Sequence, residues 1–299
     1  MFRFRHVIAA LLLTVPPLLA ACRSSETPSA SAGESHDDFG VAIVVPKSPK
    51  RIVSLNPTTT EILVAIGAMP RLVGRSQYDT FPDSVKSVES VGPALRPSVE
   101  AILAVHPDLV LLYASQDNRA AYDRLRAAGI TTVAFKIDSI AQFKRDARLI
   151  GALTGDSVAA KTLVDTVSAT LDRVRKATAS LPHPTVFYPT WDKPIITIGG
   201  GSFMSELFEI AGARNIYAEV HAPSAAVALE DVVQRDPDFV LSSRAGAERM
   251  KASAMWRAVA AVRAGHIVTI DEDITTRPSV QLGAAAVRLA ELLHPGSVR

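Results

Sequence analysis

The sequence predicts an α/β protein of two Rossmann-like lobes with parallel sheets, joined by a long rigid α-helix, with a ligand cleft between the lobes. Three observations carry this. The first is an internal repeat. Thr60-Glu61-Ile62-Leu63-Val64-Ala65-Ile66-Gly67-Ala68 is echoed by Ser205-Glu206-Leu207-Phe208-Glu209-Ile210-Ala211-Gly212-Ala213. Glu100 ahead of Pro107-Asp108-Leu109-Val110-Leu111 is echoed by Glu230 ahead of Pro237-Asp238-Phe239-Val240-Leu241, and Ala128-Gly129 by Ala264-Gly265, in the same order. The second is the alternation of short apolar runs with helical patterns, which implies parallel sheets with crossover helices. The third is a central stretch, about 140–180, that is helical without a convincing strand.

The elements follow in order. Candidate strands are 51–55, 108–112, 132–135, 186–188, 239–241 and 267–270, most of them apolar at successive positions, as strands buried on both faces are. Helical patterns lie near 59–67, 98–105, 118–128, 203–212, 228–235 and 253–263. Thr58-x-x-Glu61 reads as a capping box opening the first helix, and Gly67 as its close. In the central stretch Leu163, Val167, Leu171 and Val174 form one stripe, with Lys161, Asp165, Asp172, Arg173 and Lys176 around it. Pro182 and Pro184 stop this helix before the second lobe's first strand. A helical joint predicts a cleft of nearly fixed geometry. Trp256, beside Met255 and Val259 in a helical pattern, is expected in the core.

Five segments result: 1–21 a signal peptide, 22–40 a lipidated tether, 41–145 the N-terminal lobe, 146–181 the linking helical segment and 182–299 the C-terminal lobe. Arg3 and Arg5 precede an apolar run from Val7 to Leu19, well short of the roughly 20 residues of a membrane span. The run ends in Leu19-Ala20-Ala21-Cys22, which looks like a bacterial lipobox whose cysteine takes a diacylglyceryl group. Cys22 is the only cysteine, so no intrachain disulfide forms. Without Arg3 and Arg5 the chain's net charge of +2 vanishes, and a neutral body gives no electrostatic case for nucleic acid. The expected membrane partner is reached through the lipid anchor alone.

Arg51-Ile52-Val53-Ser54-Leu55-Asn56-Pro57, Glu100 before His106-Pro107-Asp108, the helical joint, Gly199-Gly200-Gly201 before Ser205-Glu206, Arg277-Pro278 and Leu293-His294-Pro295 together resemble the helical-backbone substrate-binding proteins of ABC importers. Relatives in that family carry vitamin B12, ferric siderophores or haem. The resemblance implies a monomer that hands a small-molecule metal chelate to a permease dimer, with Glu100 and Glu230 as the permease-docking acids of the two lobes. A first-turn glutamate favoured by the helix dipole explains the same two positions without docking. Ligand contacts are expected on loops beyond the carboxyl ends of the strands. These offer Tyr78, Tyr113, Trp191 and Arg277, aromatic faces for a flat macrocycle and a guanidinium for its rim. Trp191 matches a cleft aromatic of the family.

Two chemistries recede. Haem-binding relatives often carry a ligating tyrosine after Val-Gly, where Val91-Gly92 is here followed by Pro93, and the scattered histidines lack paired metal spacing. No Gly-x-Ser-x-Gly, His-Glu-x-x-His or phosphate-loop motif is present, so neither a catalytic residue nor a cofactor is expected. The glycine run at 199–201 suits either an anion at a helix start or close approach of backbone to a bulky ligand. The expectation is therefore a non-enzymatic, extracytoplasmic lipoprotein that binds a corrinoid. A ferric siderophore or haem is the alternative, and a lipid-anchored hydrolase is further off.

Overall fold

The computed structural model describes residues 35–44, 48–271 and 277–298. The expected signal peptide, Cys22 and most of the tether lie outside them. One compact unit runs from His36 onward.

The first sheet has the order β2-β1-β3-β4, formed by β1 (Ile52–Leu55), β2 (Leu72–Arg75), β3 (Leu109–Tyr113) and β4 (Thr131–Phe135), with every neighbouring pair parallel. The second has the order β8-β5-β10-β11, formed by β5 (Thr185–Phe187), β8 (Arg214–Asn215), β10 (Phe239–Ser242) and β11 (Ile267–Thr269), again parallel throughout. Counted within each lobe, the two sheets have the same strand order, so the repeat read from the sequence is a repeat of topology. A third, antiparallel sheet, β6 (Pro189–Asp192), β7 (Ile195–Ile198) and β9 (Ser224–Ala226), belongs to the second lobe.

The paired motifs also share geometry. Helix α1 (Pro57–Ala65) ends with Gly67 at φ 83°, where Gly67 N–H reaches Val64 O and Ala68 N–H reaches Leu63 O. Helix α6 (Phe203–Ile210) ends the same way through Gly212 at φ 76°, with Gly212 N–H to Glu209 O and Ala213 N–H to Phe208 O. Only glycine takes this left-handed turn without strain. The Pro-Asp steps are matching staples. Asp108 accepts from the backbone of Lys50 and Arg51 (2.7 and 3.0 Å), and Asp238 from Thr185 N and Oγ1 (both 2.7 Å), so each ties the strand start beside its own.

Strand alternation divides the core into layers. Ile52, Leu109, Leu111, Val133 and Phe135 face one side of the first sheet; Val53, Leu55, Val110, Leu112 and Ala134 face the other. The outer side packs on α2 (Val99–Ala104) and α3 (Gln116–Ala127) through Ile102, Tyr122 and Leu125. The inner side joins α4 (Ile140–Thr154), α5 (Ser157–Thr178), α6 and α10 (Leu282–Leu293) in one cluster that also includes Val186 and Leu241 of the second sheet. The outer side of the second sheet holds Phe187, Val240 and Trp256, with α7 (Leu229–Arg235), α8 (Arg244–Ala252) and α9 (Ala260–Ala264).

Several expectations need correction. The first helix is capped by Asn56, whose side chain accepts from Thr58 N–H, so Thr58 and Glu61 form no capping box; both turn to partners far along the chain. The central stretch is two helices, broken at Gly155 in the left-handed conformation, with α5 about 33 Å long at the helical rise. The 253–263 pattern is a 3-10 turn at Trp256–Ala258 followed by α9. Residues 36–40, read as tether, lie along edge strand β4: Asp38 N–H reaches Ala134 O, and Phe39 packs edge-on to Tyr122. This covers an otherwise exposed strand edge.

Among the described residues no helix is long and apolar enough to cross a membrane. Of the stripe read on α5, Val167, Leu171 and Val174 are buried and Leu163 is half-buried against the same cluster, while Val164, outside that reading, is buried with them. Helices α4 and α5 approach so closely that a Cβ on Gly151 would stand 2.3 Å from that of Ala160. Gly151→Ala should therefore cost about 1–3 kcal/mol in urea unfolding, as overpacking does. Adding Ala160→Gly should recover part of it; a stable single variant would show that the helix pair yields easily.

Candidate functional site

A cavity of about 890 Å³ opens at the carboxyl end of the second sheet. Tyr188 and Ser242, at the ends of β5 and β10, contribute to its lining together with Ile198. The β6–β7 hairpin contributes Trp191, Asp192 and Lys193; the start of α6 contributes Ser202, Phe203 and Met204; α8 contributes Arg249 and Met250. Its volume is at the upper end of the roughly 300–1,000 Å³ typical of small-molecule sites.

Local chemistry holds these walls. Thr197 Oγ1 donates to Tyr188 O (2.9 Å), closing the hairpin onto the strand it leaves. Ser202 caps α6 by accepting from Met204 N–H, and Ser243 caps α8 by accepting from Gly246 N–H, both at 3.2 Å. The indole N–H of Trp191 donates to Lys193 O (3.1 Å), while the side chain remains 63% exposed, an apolar surface kept available on the hairpin. Gly199, Gly200 and Gly201 serve the fold. Cβ atoms on them would meet the carbonyl oxygens of Ala222, Ala218 and His221 at 2.2, 2.0 and 2.2 Å, so here protein backbone takes the place expected for a ligand.

Of the four residues expected to touch ligand, the structure puts Trp191 on the cavity wall. Tyr78, 59% exposed, stands in the loop after β2, at the carboxyl end of the first sheet. Tyr113 ends β3; its hydroxyl donates to Asp138 (2.9 Å), and burial together with that carboxylate pushes its pKa up to about 12. Arg277 donates from Nε (2.9 Å) and Nη2 to Glu61 Oε1, a tie between the segment entering α10 and helix α1. Thr58 Oγ1 adds a bond to Pro278 O (2.9 Å) at the same junction. Glu61 is fully buried, and desolvation raises its pKa although Arg277 opposes the shift. Close by in the same lobe, Asp79 is buried and accepts from Thr60 Oγ1 and Ser76 Oγ, both at 2.7 Å.

Sequence reasoning missed Lys193, Ser202, Ser242, Ser243 and Arg249. Ser202 and Ser243 had a legible signal, since each is a small hydroxyl residue before a helix. Arg249 had none, because its place depends on how α8 packs.

Glu100 and Glu230 occupy equivalent places, the first turns of α2 and α7, which lead to the equivalent strands β3 and β10. Both are exposed. The Glu100 carboxylate lies below its usual range because its own backbone N–H, then Arg124 (2.8 Å) and Ser98 (3.2 Å), hydrogen-bond the charged form.

Comparison with known proteins agrees with this architecture. The family model described as periplasmic binding protein matches residues 52–274. An uncharacterised ABC transporter substrate-binding lipoprotein, YvrC of Bacillus subtilis (strain 168), is 28% identical over 99% of each chain. A cobalamin-binding protein of Halobacterium salinarum is 30% identical, covering 86% of this chain and 73% of its own. The crystal structure of a possible iron-binding periplasmic solute-binding protein from Staphylococcus epidermidis superposes with TM-score 0.73 at 28% identity, over 83% of this chain and 100% of that one. The chain belongs to the periplasmic binding protein family, whose members bind substrates for transport and are not enzymes.

The Glu61–Arg277 tie gives a measurable outcome. Removing one partner of a buried pair strands the other charge, so Arg277→Met should destabilise the protein by about 3 kcal/mol at neutral pH, the lower end for such pairs because Arg277 is partly exposed. The sign with pH follows from Glu61. Its folded-state pKa, already raised and raised further without Arg277, lets the folded form take up a proton that the unfolded form does not. The deficit should shrink as pH falls from 7 toward about 5. Urea unfolding at several pH values measures this, and a deficit that grows on acidification would refute the pairing as the source of the effect.

Proposed function

We propose that this periplasmic binding protein captures a corrinoid at the cavity walled by Trp191 and delivers it to the permease of an ABC importer, tethered outside the cytoplasmic membrane by a lipid on Cys22. The observation that carries the reading is the cavity itself: about 890 Å³, with the exposed Trp191 on its wall, at the carboxyl end of a parallel sheet. In this reading the indole packs on the macrocycle, Tyr78 and Tyr113 supply the opposing face from the first sheet, and Arg277 acts as a tie within the protein. A corrinoid arrives with its cobalt chelated, so the protein need only clasp it. The cobalamin-binding relative supports this choice. A ferric chelate is the second reading, favoured by the neighbour described as a possible iron-binding protein. Haem ranks below both, since Pro93 stands where a ligating tyrosine is expected.

Glu100 and Glu230, repeated in equivalent helix starts, are the docking acids toward the permease subunits. The lipoprotein relative, aligned over 99% of each chain, supports anchoring through the amino terminus.

Calorimetry with cyanocobalamin should give one site per chain at micromolar affinity or tighter. Trp191→Ala should weaken it at least about tenfold, roughly 1.4 kcal/mol. Absence of heat with any corrinoid, together with tight binding of a ferric chelate, would transfer the assignment to the second reading.

Reversing both docking acids, Glu100→Lys with Glu230→Lys, should abolish uptake while leaving ligand affinity nearly intact; normal uptake would reduce them to helix-start residues. Labelling cells with a palmitate analogue should tag the wild type and not Cys22→Ser, and an unlabelled wild type would remove the anchor.

A further inference from the structure

The cavity is charged although the chain as a whole is nearly neutral. Lys193, beside the hairpin turn, and Arg249, from α8, both line it. Opposing them is the carboxylate of Asp192, 3.7 Å from Arg249 Nε, a separation too long for a strong charge-assisted bond. Among the described residues two cations thus meet one carboxylate in the lining, an excess of positive charge.

A second feature points the same way. Ser242 also lines the cavity and is only 5% exposed, adding a hydroxyl-bearing residue to the polar part of the wall. Helices α6 and α8 begin at the same cavity, through Ser202 and Ser243, and add the partial positive charge of their amino termini. Phe203, Met204 and Met250 supply apolar lining, so the site suits a group that is part apolar and part anionic.

We propose that the cavity receives an anionic group of the ligand, placed to meet Lys193 and Arg249, and that in a corrinoid this group is the phosphodiester of the nucleotide loop. This rests on the reading that the cavity is the ligand site, and it specifies what the second lobe recognises there. Asp192 limits how much negative charge the site accepts, which separates a singly charged phosphodiester from more highly charged chelates.

Two probes isolate the anion: cyanocobalamin, and dicyanocobinamide, which lacks the phosphate-bearing loop. Calorimetry at low salt should show the wild type binding cyanocobalamin at least about tenfold more tightly. Lys193→Gln with Arg249→Gln should remove most of that preference while changing cobinamide affinity little. Asp192→Asn should widen it, a gain that a damaged fold would not produce. Added salt should weaken cyanocobalamin more than cobinamide. Equal affinity of the wild type for both probes, or a double variant that keeps the full preference, overturns the inference.

If no corrinoid binds, the corrinoid reading fails by itself, and the same variants are compared on a trianionic ferric catecholate and a neutral ferric hydroxamate. Selective loss of the catecholate sustains the anion site under the second reading; equal effects on the two chelates overturn it.

Discussion

A single apolar cluster passes from the inner face of one sheet to the inner face of the other, and α5 is the element that carries it across. Its stripe of Val164, Val167, Leu171 and Val174 is packed in the same cluster as Ile52 and Leu111 of the first sheet and Val186 and Leu241 of the second. Shearing one lobe against the other would expose this surface, at about 25 cal/mol for each Å² of apolar area. Arg71 reinforces the join by donating to Thr154 O (2.7 Å) and pairing with Asp156 at the α4–α5 turn. The join between the two sheets is therefore built on packed core, unlike a joint made from crossing strands.

Within this frame the lobes are copies with different work to do. Both use the strand order that parallel crossovers produce, close the helix after the first strand with a left-handed glycine, and staple strand starts with the aspartate of a Pro-Asp step. These devices are local, and they recur wherever the same short motif recurs. The second lobe then departs from the plan. It inserts the β6–β7 hairpin after β5, with β9 joining that sheet later in the chain, and the hairpin contributes Trp191 and Lys193 to the cavity. The glycine run at 199–201 permits it, because the segment 218–222 passes against those residues closely enough to exclude any side chain. The asymmetry of the site thus arises from an addition to one copy of a duplicated lobe.

The polar interior follows a related logic. The junction between α1 and the segment entering α10 holds the buried Glu61 against Arg277, while Asp79 is satisfied within the first lobe by Thr60 and Ser76. Both carboxyl groups are pushed upward in pKa by burial, so each is retained at a cost offset by its donors. A buried pair of this kind favours one arrangement of the segments it joins, because any other leaves a charge unpaired in the interior.

The sequence by itself determined the layered plan. Most candidate strands carry apolar residues at successive positions, as strands of a sheet covered on both faces do, and in β3 successive residues face opposite clusters. The stripe on α5, the left-handed glycines and the Pro-Asp steps were legible because each is written in residues three to seven apart. The short strands β2, β6, β7, β8 and β9 were not, since they carry too few residues for a period to show and exist only through their partners. Tertiary structure alone decided that Glu61 meets a residue 216 positions away rather than its own helix start, and that Gly199–Gly201 face backbone rather than ligand. It likewise brought Arg249 to the wall that holds Trp191. Local periodicity records which face of an element is buried, whereas the identity of what covers that face depends on packing between distant segments, which no short-range pattern encodes.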